Sequence, residues 1–201
     1  MIAKRRVVFR YKGERNYIHG TDMFNEMLNI SETSEISDVN FSVHDFVDIA
    51  ACDLYDTYDK KDLNLLDGIK ARCQFNINGK IKWTALIPDD SITKSSSRYE
   101  YDESLITSLC KLDGEVIELS RVSPFSFIES VVAMNKQLLE SLFPDANGKW
   151  VFTRIDLEKF STATTGLSLQ FKHNMKFRLI KSDILVDGEK LGELYFSLVK
   201  S

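Results

Sequence analysis

Residues 148–160 read GKWVFTRIDLEKF, and about a hundred residues earlier residues 37–49 read SDVNFSVHDFVDI. Both stretches alternate apolar and polar side chains, a pattern that predicts a half-buried β-strand. In an alignment of the two, FSVHDF beginning at Phe41 lies over FTRIDL beginning at Phe152. This likeness raises the question of whether the chain contains a duplicated module, and the fold prediction depends on the answer.

Two further pairs of segments match in the same order along the chain. FNEML, which begins at Phe24, matches FIESV, which begins at Phe127, and Gly79 of one predicted hairpin matches Gly188 of another. Three ordered matches predict an internal repeat. The alternative is an ordinary α+β domain whose strands resemble one another because all strands share one pattern.

Each half contains the same series of predicted elements: a strand, a helix, a second strand and a strand hairpin. The first series is predicted at residues 5–11, 19–30, 37–49 and 69–87, and the second at 114–122, 123–143, 149–160 and 167–199. The two hairpins turn at Asn78-Gly79 and Asp187-Gly188, dipeptides that tolerate the positive φ of a tight turn.

The helix predicted at residues 123–143 has the strongest pattern in the chain. Ser123 is a suitable N-cap, and Pro124 suits the first helical position, where no amide N–H is needed. Two adjacent apolar stripes follow, one formed by Phe127, Val131, Met134 and Leu138 and the other by Ile128, Val132 and Leu139. A face this wide predicts a helix that is deeply buried in its domain.

Composition argues against several classes of function. The net charge of −4 argues against a general electrostatic grip on nucleic acid or on an anionic membrane. The basic start AKRRVVFR is interpreted as an edge strand with charged flanks, with a local basic patch as the alternative. No apolar run is long enough to span a membrane, and Cys52, Cys73 and Cys110 match no zinc or redox spacing. These features predict a cytoplasmic protein with reduced thiols and with neither a metal nor a cofactor.

A repeat of about 100 residues with one buried helix and at least four antiparallel strands resembles the hot-dog fold, in which a curved sheet wraps around a central helix. Residues 88–104 combine a proline, serines and charges and are the predicted linker, so the predicted repeats are residues 1–104 and 105–201. The expected fold class is therefore α+β, a double hot-dog with two curved antiparallel sheets. In a tandem copy the sheets pair edge to edge, which removes one exposed edge from each.

Local segments extend this resemblance. SPFSFIESVVAMNKQ, residues 123–137, is similar to the helix segment of hot-dog domains in the A-factor (γ-butyrolactone) synthase family, and GKWVFTRIDL looks like that family's next strand. YIHGTDMFNEML, residues 17–28, loosely resembles the helix opening of fatty-acid dehydratases and the His-Gly opening of some hot-dog thioesterases. The resemblance implies a protein that acts on an acyl thioester of coenzyme A or of acyl carrier protein.

The resemblance also assigns site residues. Dehydratase-like families combine a histidine and an acid across their two halves, which implies catalytic roles for His19 and Glu129. Gly20 is expected to let a thioester carbonyl approach the amide groups of the first helix, where the partial positive charge polarises it. Asn25 and Asn135 complete the predicted substrate-binding residues, and no metal ligands are predicted.

Several residues depart from the family patterns. The His-Phe, Pro and Met-Pro-Gly series of the dehydratases is absent. When Gly20 is aligned with the glycine of that series, the position of the catalytic acid falls on Asn25 or, after a shift of one residue, on Glu26. Lys136 stands in place of the arginine of the synthase-like Arg-Gln pair. Two hypotheses stay open. The first is a 3-hydroxyacyl dehydratase, or a relative such as a thioesterase, in lipid or secondary-metabolite biosynthesis. The second is a catalytically silent hot-dog protein that serves as a structural partner or acyl-group binder. A homo-oligomer is compatible with both.

Overall fold

The computed structural model describes residues 2–29, 35–89, 91 and 97–200. The chain divides into two compact units, Met1–Tyr101 and Asp102–Ser201. Ile30 of the first predicted helix and residues 90 and 92–96 of the predicted linker lie outside the described residues. The two units are described in turn.

The first unit is built on five antiparallel strands and one main helix. Its elements in chain order are β1 (Ala3–Val8), β2 (Tyr11–Lys12), α1 (Gly20–Met27), β3 (Ile36–Val43), β4 (Ala51–Thr57), α2 (Lys60–Leu63), β5 (Ala71–Ile77), β6 (Lys80–Pro88) and β7 (Arg98–Tyr99). The strand order is β1–β4–β6–β5–β3, and the short strands β2 and β7 form a separate parallel pair. The β5–β6 hairpin turns at Asn78-Gly79 with φ of 50° and 79°, which confirms the predicted turn.

Helix α1 forms where the helical spacing predicts it and buries one apolar face. Met23, Phe24 and Met27 are buried, and the helix packs against β5 and β6. The Phe24 ring meets Phe41 of β3 edge to face, with ring centroids 5.4 Å apart. These contacts hold α1 on the sheet and so position its amino-terminal end, which begins at Gly20.

The basic residues at the start of the chain lie on an edge strand, as the sequence predicts. β1 pairs with β4 and stands at the end of the strand order. Its cations have carboxylate partners, in the ion pairs Lys4–Asp53, Arg5–Glu26 and Arg6–Asp89. The positive charge of this strand is therefore compensated locally.

The second unit has six antiparallel strands and a longer helix. Its elements are α3 (Ser104–Thr107), β8 (Cys110–Asp113), β9 (Val116–Leu119), α4 (Phe127–Leu142), β10 (Lys149–Lys159), β11 (Leu167–Met175), β12 (Leu179–Val186) and β13 (Glu189–Val199). The strand order is β8–β9–β11–β12–β13–β10. The β12–β13 hairpin turns at Asp187-Gly188 with φ of 50° and 85°, as predicted.

Helix α4 is the buried helix that the wide apolar face predicts, since ten of its 16 residues are buried. Its predicted start is wrong, because the helix begins at Phe127 and is capped by Ser126. Ser126 and Glu129 form a capping box that satisfies two amide donors, which a single serine at position 123 could not do. Ser123 instead accepts the Phe125 N–H at 3.2 Å in the turn before the helix.

The two units share the predicted series of elements along the chain but differ in strand order. The first hairpin strand, β5, pairs with β3 in one unit, whereas the second hairpin strand, β13, pairs with β10 in the other. The cause lies in the preceding connection. β11 turns directly into β12 at Lys176 and Phe177, both with positive φ, so β12 forms beside β11. Residues 58–70, which include α2, instead form a longer connection, so β5 forms one strand position away from β4. Gly79 and Gly188 therefore correspond in chain order, but the strands of their two hairpins lie in opposite order within the sheets.

Residues 37–49 form a strand only as far as Val43. Beyond it the His44 N–H donates to the Lys70 carbonyl at 2.7 Å, and the Asp45 carboxylate accepts the Phe46 N–H at 2.8 Å. These local bonds turn the chain, so the alternating pattern continues for several residues without strand pairing.

Candidate functional site

Three of the predicted site residues lie on or beside α1: His19 and Gly20 at its amino-terminal end and Asn25 nearer its carboxyl-terminal end. His19 occupies the N-cap position in an extended conformation, with φ −74° and ψ 141°. Its carbonyl accepts the N–H groups of Asp22 and Met23, but its side chain makes no capping hydrogen bond. The His19 side chain therefore does not cap the helix, and the Asp22 and Met23 amides are bonded to the His19 carbonyl, so the amides of this helix start that could serve a ligand are those of Gly20 and Thr21.

A lysine that the sequence does not single out lies beside this helix end. Lys12 is fully buried, and its ammonium donates to Thr21 Oγ1 at 2.8 Å and lies 2.9 Å from Asp22 Oδ1. The Tyr99 hydroxyl donates to the same carboxylate oxygen at 2.8 Å. The ammonium also stands 4.4 Å from the centroid of the Tyr101 ring. Carboxylate, hydroxyl and ring together stabilise a positive charge whose burial would otherwise be costly.

The imidazole of His19 joins this network through Thr21. His19 Nδ1 lies 2.8 Å from Thr21 Oγ1, the atom that also accepts from Lys12. Thr21 is fully buried, whereas His19 is half-buried. The network therefore connects the interior of the first unit to a side chain that a ligand can reach.

A groove of about 540 Å³ borders the network. Val8 and Phe9 form an apolar part of its lining, while Asp22, Asn25 and Tyr99 supply a carboxylate, an amide and a phenol. Arg10, Glu26 and Asn29 complete the lining, so the groove is mostly polar, unlike the mainly apolar pockets that are typical of small-molecule sites. The structure thus places the predicted residue Asn25 in the lining of a polar groove along α1.

Glu129, on α4 of the second unit, is engaged in capping. Its carboxylate accepts the Ser126 N–H at 3.0 Å and the Ser126 hydroxyl at 2.6 Å. This role is sufficient to explain a glutamate at the third helical position. The side chain is half-buried, so the carboxylate is not sealed inside the unit. The predicted catalytic role of Glu129, and its meeting with His19 at one site, stay predictions.

Asn135, also on α4, is fully buried. Neither its Oδ1 nor its Nδ2 has a hydrogen-bond partner in the part of the chain that the structure describes. An unpaired buried polar group costs about 1–3 kcal/mol, so its presence calls for an explanation such as a ligand contact. Sequence could place this amide on an apolar helix face, but only packing reveals that it is unpaired.

We expect the Asn135→Leu substitution to raise the free energy of unfolding by about 1–2 kcal/mol, because it replaces two unpaired polar atoms with two methyl groups on a side chain of the same branched shape. Chemical denaturation of the native and substituted proteins measures the difference. Asn135→Ala is the matched control: it removes the same polar atoms but leaves a cavity, so it should not stabilise. A Leu variant less stable than the native protein would contradict the unpaired state of this amide.

Lys12 and Tyr99 are the candidate residues that sequence reasoning missed. Lys12 lies in the charged segment 10–15, where no pattern separates it from an exposed lysine. Tyr99 lies within the predicted linker, and nothing along the chain indicates that it returns to α1. Thr21 and Asp22 are recognisable from sequence as residues of a helix start, but their contacts with Lys12 are not.

The residues that the structure describes give little support for metal binding, a membrane-spanning helix or a reactive thiol. Among them, no group of three His, Cys, Asp or Glu side chains could hold a metal ion. No helix in these described ranges has the length and apolar character needed to cross a membrane. Burial raises the pKa of Cys52 to about 12 and that of Cys110 to about 11, so neither is a reactive thiolate at neutral pH.

The chain resembles several solved structures, although no family model and no curated protein matches its sequence. A candidate thioesterase II from Thermobifida fusca YX aligns over 98% of this chain and 92% of its own, with 10% identity and a TM-score of 0.50. The tesB protein of Mycobacterium avium subsp. paratuberculosis aligns over 96% and 92%, with 10% identity and a TM-score of 0.49. A fusion DH domain aligns over 100% and 88%, with 11% identity and a TM-score of 0.48.

The likeness to the Thermobifida fusca structure shows that the chain adopts the hot-dog fold, which confirms that part of the prediction. At 10% identity the likeness shows the fold alone, so no residue of this chain takes its role from it. The local resemblance to the A-factor synthase helix stays a prediction.

Proposed function

We propose that this protein binds and acts on acyl thioesters of acyl carrier protein or coenzyme A, with residues 1–104 and 105–201 as the repeats of a double hot-dog. The observation that carries the proposal is the start of α1, where His19 is hydrogen-bonded to a buried charged network whose Asp22 and Tyr99 line a groove along the helix. The name of the Thermobifida fusca thioesterase II, which shares the fold, agrees with thioester chemistry. A cytoplasmic location, a role in lipid or secondary-metabolite biosynthesis and assembly into a homo-oligomer belong to the same proposal.

The start of α1 offers the chemistry that a thioester carbonyl needs. Amide N–H groups and the positive end of the helix stabilise the negative charge that develops on the carbonyl oxygen during reaction. Gly20 has no side chain, so the carbonyl can approach the backbone closely. The Asn25 amide, in the groove, can hydrogen-bond a second polar atom of the substrate.

The reaction that we propose is dehydration of a 3-hydroxyacyl thioester. A base removes a proton from carbon 2, negative charge passes to the thioester oxygen, and the bond between carbon 3 and oxygen breaks as an acid protonates the departing hydroxyl. The products are a 2-enoyl thioester and water. His19 and Glu129 are assigned to the proton transfers and to stabilisation of the oxygen, so the proposal requires the double hot-dog to bring them to one site.

A catalytically silent protein, which binds an acyl group or supports an active homologue, is the second candidate. The engagement of the Glu129 carboxylate by Ser126 favours it, because a helix cap explains this residue without catalysis. In that case the groove binds an acyl group without turnover.

Glu129→Gln separates catalysis from capping. Glutamine serves in a capping box as glutamate does, so we expect the free energy of unfolding to change by less than about 0.5 kcal/mol. Turnover should fall by about a hundredfold or more if the carboxylate transfers a proton. Mass spectrometry of 3-hydroxyacyl and saturated acyl thioesters, incubated with native protein, Glu129→Gln and His19→Ala, measures the effect.

Ser126→Ala is the matched control, since it should lose about 1 kcal/mol of stability but keep turnover. Turnover that survives both Glu129→Gln and His19→Ala would remove the site assignment. Binding of acyl thioesters in calorimetry, without turnover by the native protein, would support the silent candidate. The absence of both binding and turnover would overturn the proposed function.

A further inference from the structure

The groove along α1 has a lining that suits a charged part of a ligand. Four of its lining residues recur at the spacing of one helical face, namely Asp22, Asn25, Glu26 and Asn29. The others are Tyr99 and the three residues at the end of β1, Val8, Phe9 and Arg10. A hydrocarbon chain would bury little apolar surface here and would displace water from polar groups, so a hydrogen-bonding ligand is favoured.

The two carboxylates of this lining already have cationic partners. Asp22 Oδ1 lies 2.9 Å from the ammonium of Lys12, and Glu26 Oε1 lies 2.5 Å from Arg5 Nη1. The Arg10 guanidinium, in contrast, forms no ion pair with the residues that the structure describes. With Arg5 and Lys12 counted, three cations face two carboxylates, so the excess positive charge favours an anion.

A backbone carbonyl and a ring hold the Arg10 side chain in place without neutralising its charge. Arg10 Nη2 donates to the Arg98 carbonyl, and Arg10 Cζ lies 5.6 Å from the centroid of the Tyr99 ring. A guanidinium has five N–H donors in a planar fork, so most of them stay available to a ligand. The side chain is exposed, so a ligand can reach it from solvent.

We propose that Arg10 is a specificity-determining residue that binds the phosphate of the phosphopantetheine arm, the group that coenzyme A and acyl carrier protein share. The identity of this ligand rests on the proposed function. A phosphate accepts two parallel hydrogen bonds from a guanidinium, a geometry that an ammonium cannot offer. The arm then lies along α1, where the Asn29 side chain can hydrogen-bond one of its amide groups.

Isothermal titration calorimetry of the full chain compares phosphopantetheine with pantetheine, which lacks the phosphate. We expect phosphopantetheine to bind about ten- to a hundredfold more tightly, as is typical of hydrogen bonds to charged groups. The difference should shrink as sodium chloride is raised, because the guanidinium is exposed to solvent. Equal affinities, or no measurable binding of phosphopantetheine, overturn the inference.

Arg10→Gln tests the residue itself. Glutamine can still donate to the Arg98 carbonyl, so the variant can keep that contact while it loses the charge and the fork. We expect it to bind phosphopantetheine no more tightly than pantetheine. Arg121→Gln is the matched control, because it removes the same charge from an exposed arginine of the second unit that does not line the groove.

An Arg10→Gln protein that keeps the native preference for the phosphate overturns the role of Arg10. If that variant does not fold, Arg10→Lys takes its place. Lysine keeps the charge but lacks the fork, so the preference should fall several-fold. An Arg10→Lys protein with the full native preference would then contradict bidentate binding of the phosphate by Arg10.

Coenzyme A and an acyl carrier protein that carries phosphopantetheine distinguish the two sources of the phosphate. Arg10→Gln should weaken binding of the carrier that the site serves by about tenfold or more, and Arg121→Gln should not. A loss for both carriers supports recognition of the shared arm, and a loss for one of them identifies the carrier. No loss for either carrier overturns the inference.

These ligands carry no acyl group, so their binding is measured independently of the proposed function. Where the native protein turns over an acyl thioester, Arg10→Gln should act mainly on KM, because a phosphate remote from the reacting carbon is bound alike in the ground and transition states. Suppose that phosphopantetheine binds at Arg10, but acyl-coenzyme A is neither turned over nor bound more tightly than coenzyme A: the anion site stands and the proposed function fails. Turnover with an unchanged KM in Arg10→Gln would do the reverse.

Discussion

The Gly192→Ala substitution is expected to destabilise the second unit by about 3 kcal/mol or more. A Cβ at Gly192 would lie 2.1 Å from the Asp156 carbonyl oxygen and 2.9 Å from Leu157 Cα, both backbone atoms of the neighbouring strand β10. Such atoms cannot rotate away as a side chain can, so the methyl group fits only if the β10–β13 pairing opens. Gly192 also stands beside a register shift between β12 and β13, where a glycine commonly marks a bulge.

Urea denaturation followed by circular dichroism measures this loss. Gly188→Asn, in the turn that leads into the same strand, is the matched control: its φ of 85° is one that asparagine tolerates, and nothing lies within 4 Å of a Cβ there. We expect this control to cost less than about 1 kcal/mol. A Gly192→Ala protein as stable as the control would show that β10 and β13 do not approach so closely.

The Lys12→Met substitution is expected to lower the free energy of unfolding of the first unit by about 3–5 kcal/mol, as is typical when one partner of a buried ion pair is removed. Methionine fills a similar volume but leaves the Asp22 carboxylate, 14% exposed, without the ammonium 2.9 Å from it. The Tyr99 hydroxyl remains as a donor to Asp22, but it carries no compensating charge. Thermal and urea unfolding of the native and substituted proteins measure the difference.

The double substitution Lys12→Met with Asp22→Asn is the control for this prediction. It removes both charges and should recover most of the lost stability, because no uncompensated carboxylate remains. The double-mutant cycle formed by the two single variants and the double variant gives the coupling energy of the pair. A Lys12→Met protein that loses less than about 1 kcal/mol would contradict a buried ion pair at this position.

The candidate site could be predicted in part. His19, Gly20 and Asn25 were predicted from the resemblance of residues 17–28 to hot-dog helix openings; the structure places His19 and Gly20 at the start of α1 and Asn25 in the lining of a groove, and their roles stay predictions. The sequence also contains a pattern that predicts the observed start of α4, because Ser126 and Glu129 have the spacing of a capping box. Ser123 followed by proline is the more conspicuous pattern for a helix start. Lys12 could not be predicted, since its burial depends on a tyrosine 87 residues further along the chain that returns to the same helix end.

The resemblance to hot-dog domains indicated the class of the fold, and the sequence by itself determined the presence of the helices α1 and α4 and the two hairpin turns. Apolar spacing and turn residues act between neighbours along the chain, so a local pattern is enough to specify them. Only the tertiary structure decided that β5 and β13 take corresponding places in their sheets, that Lys12 is buried against Asp22, and that Asn135 has no partner among the described residues. These features arise from contacts between residues far apart in the chain, where packing and charge compensation, and no local pattern, select the arrangement.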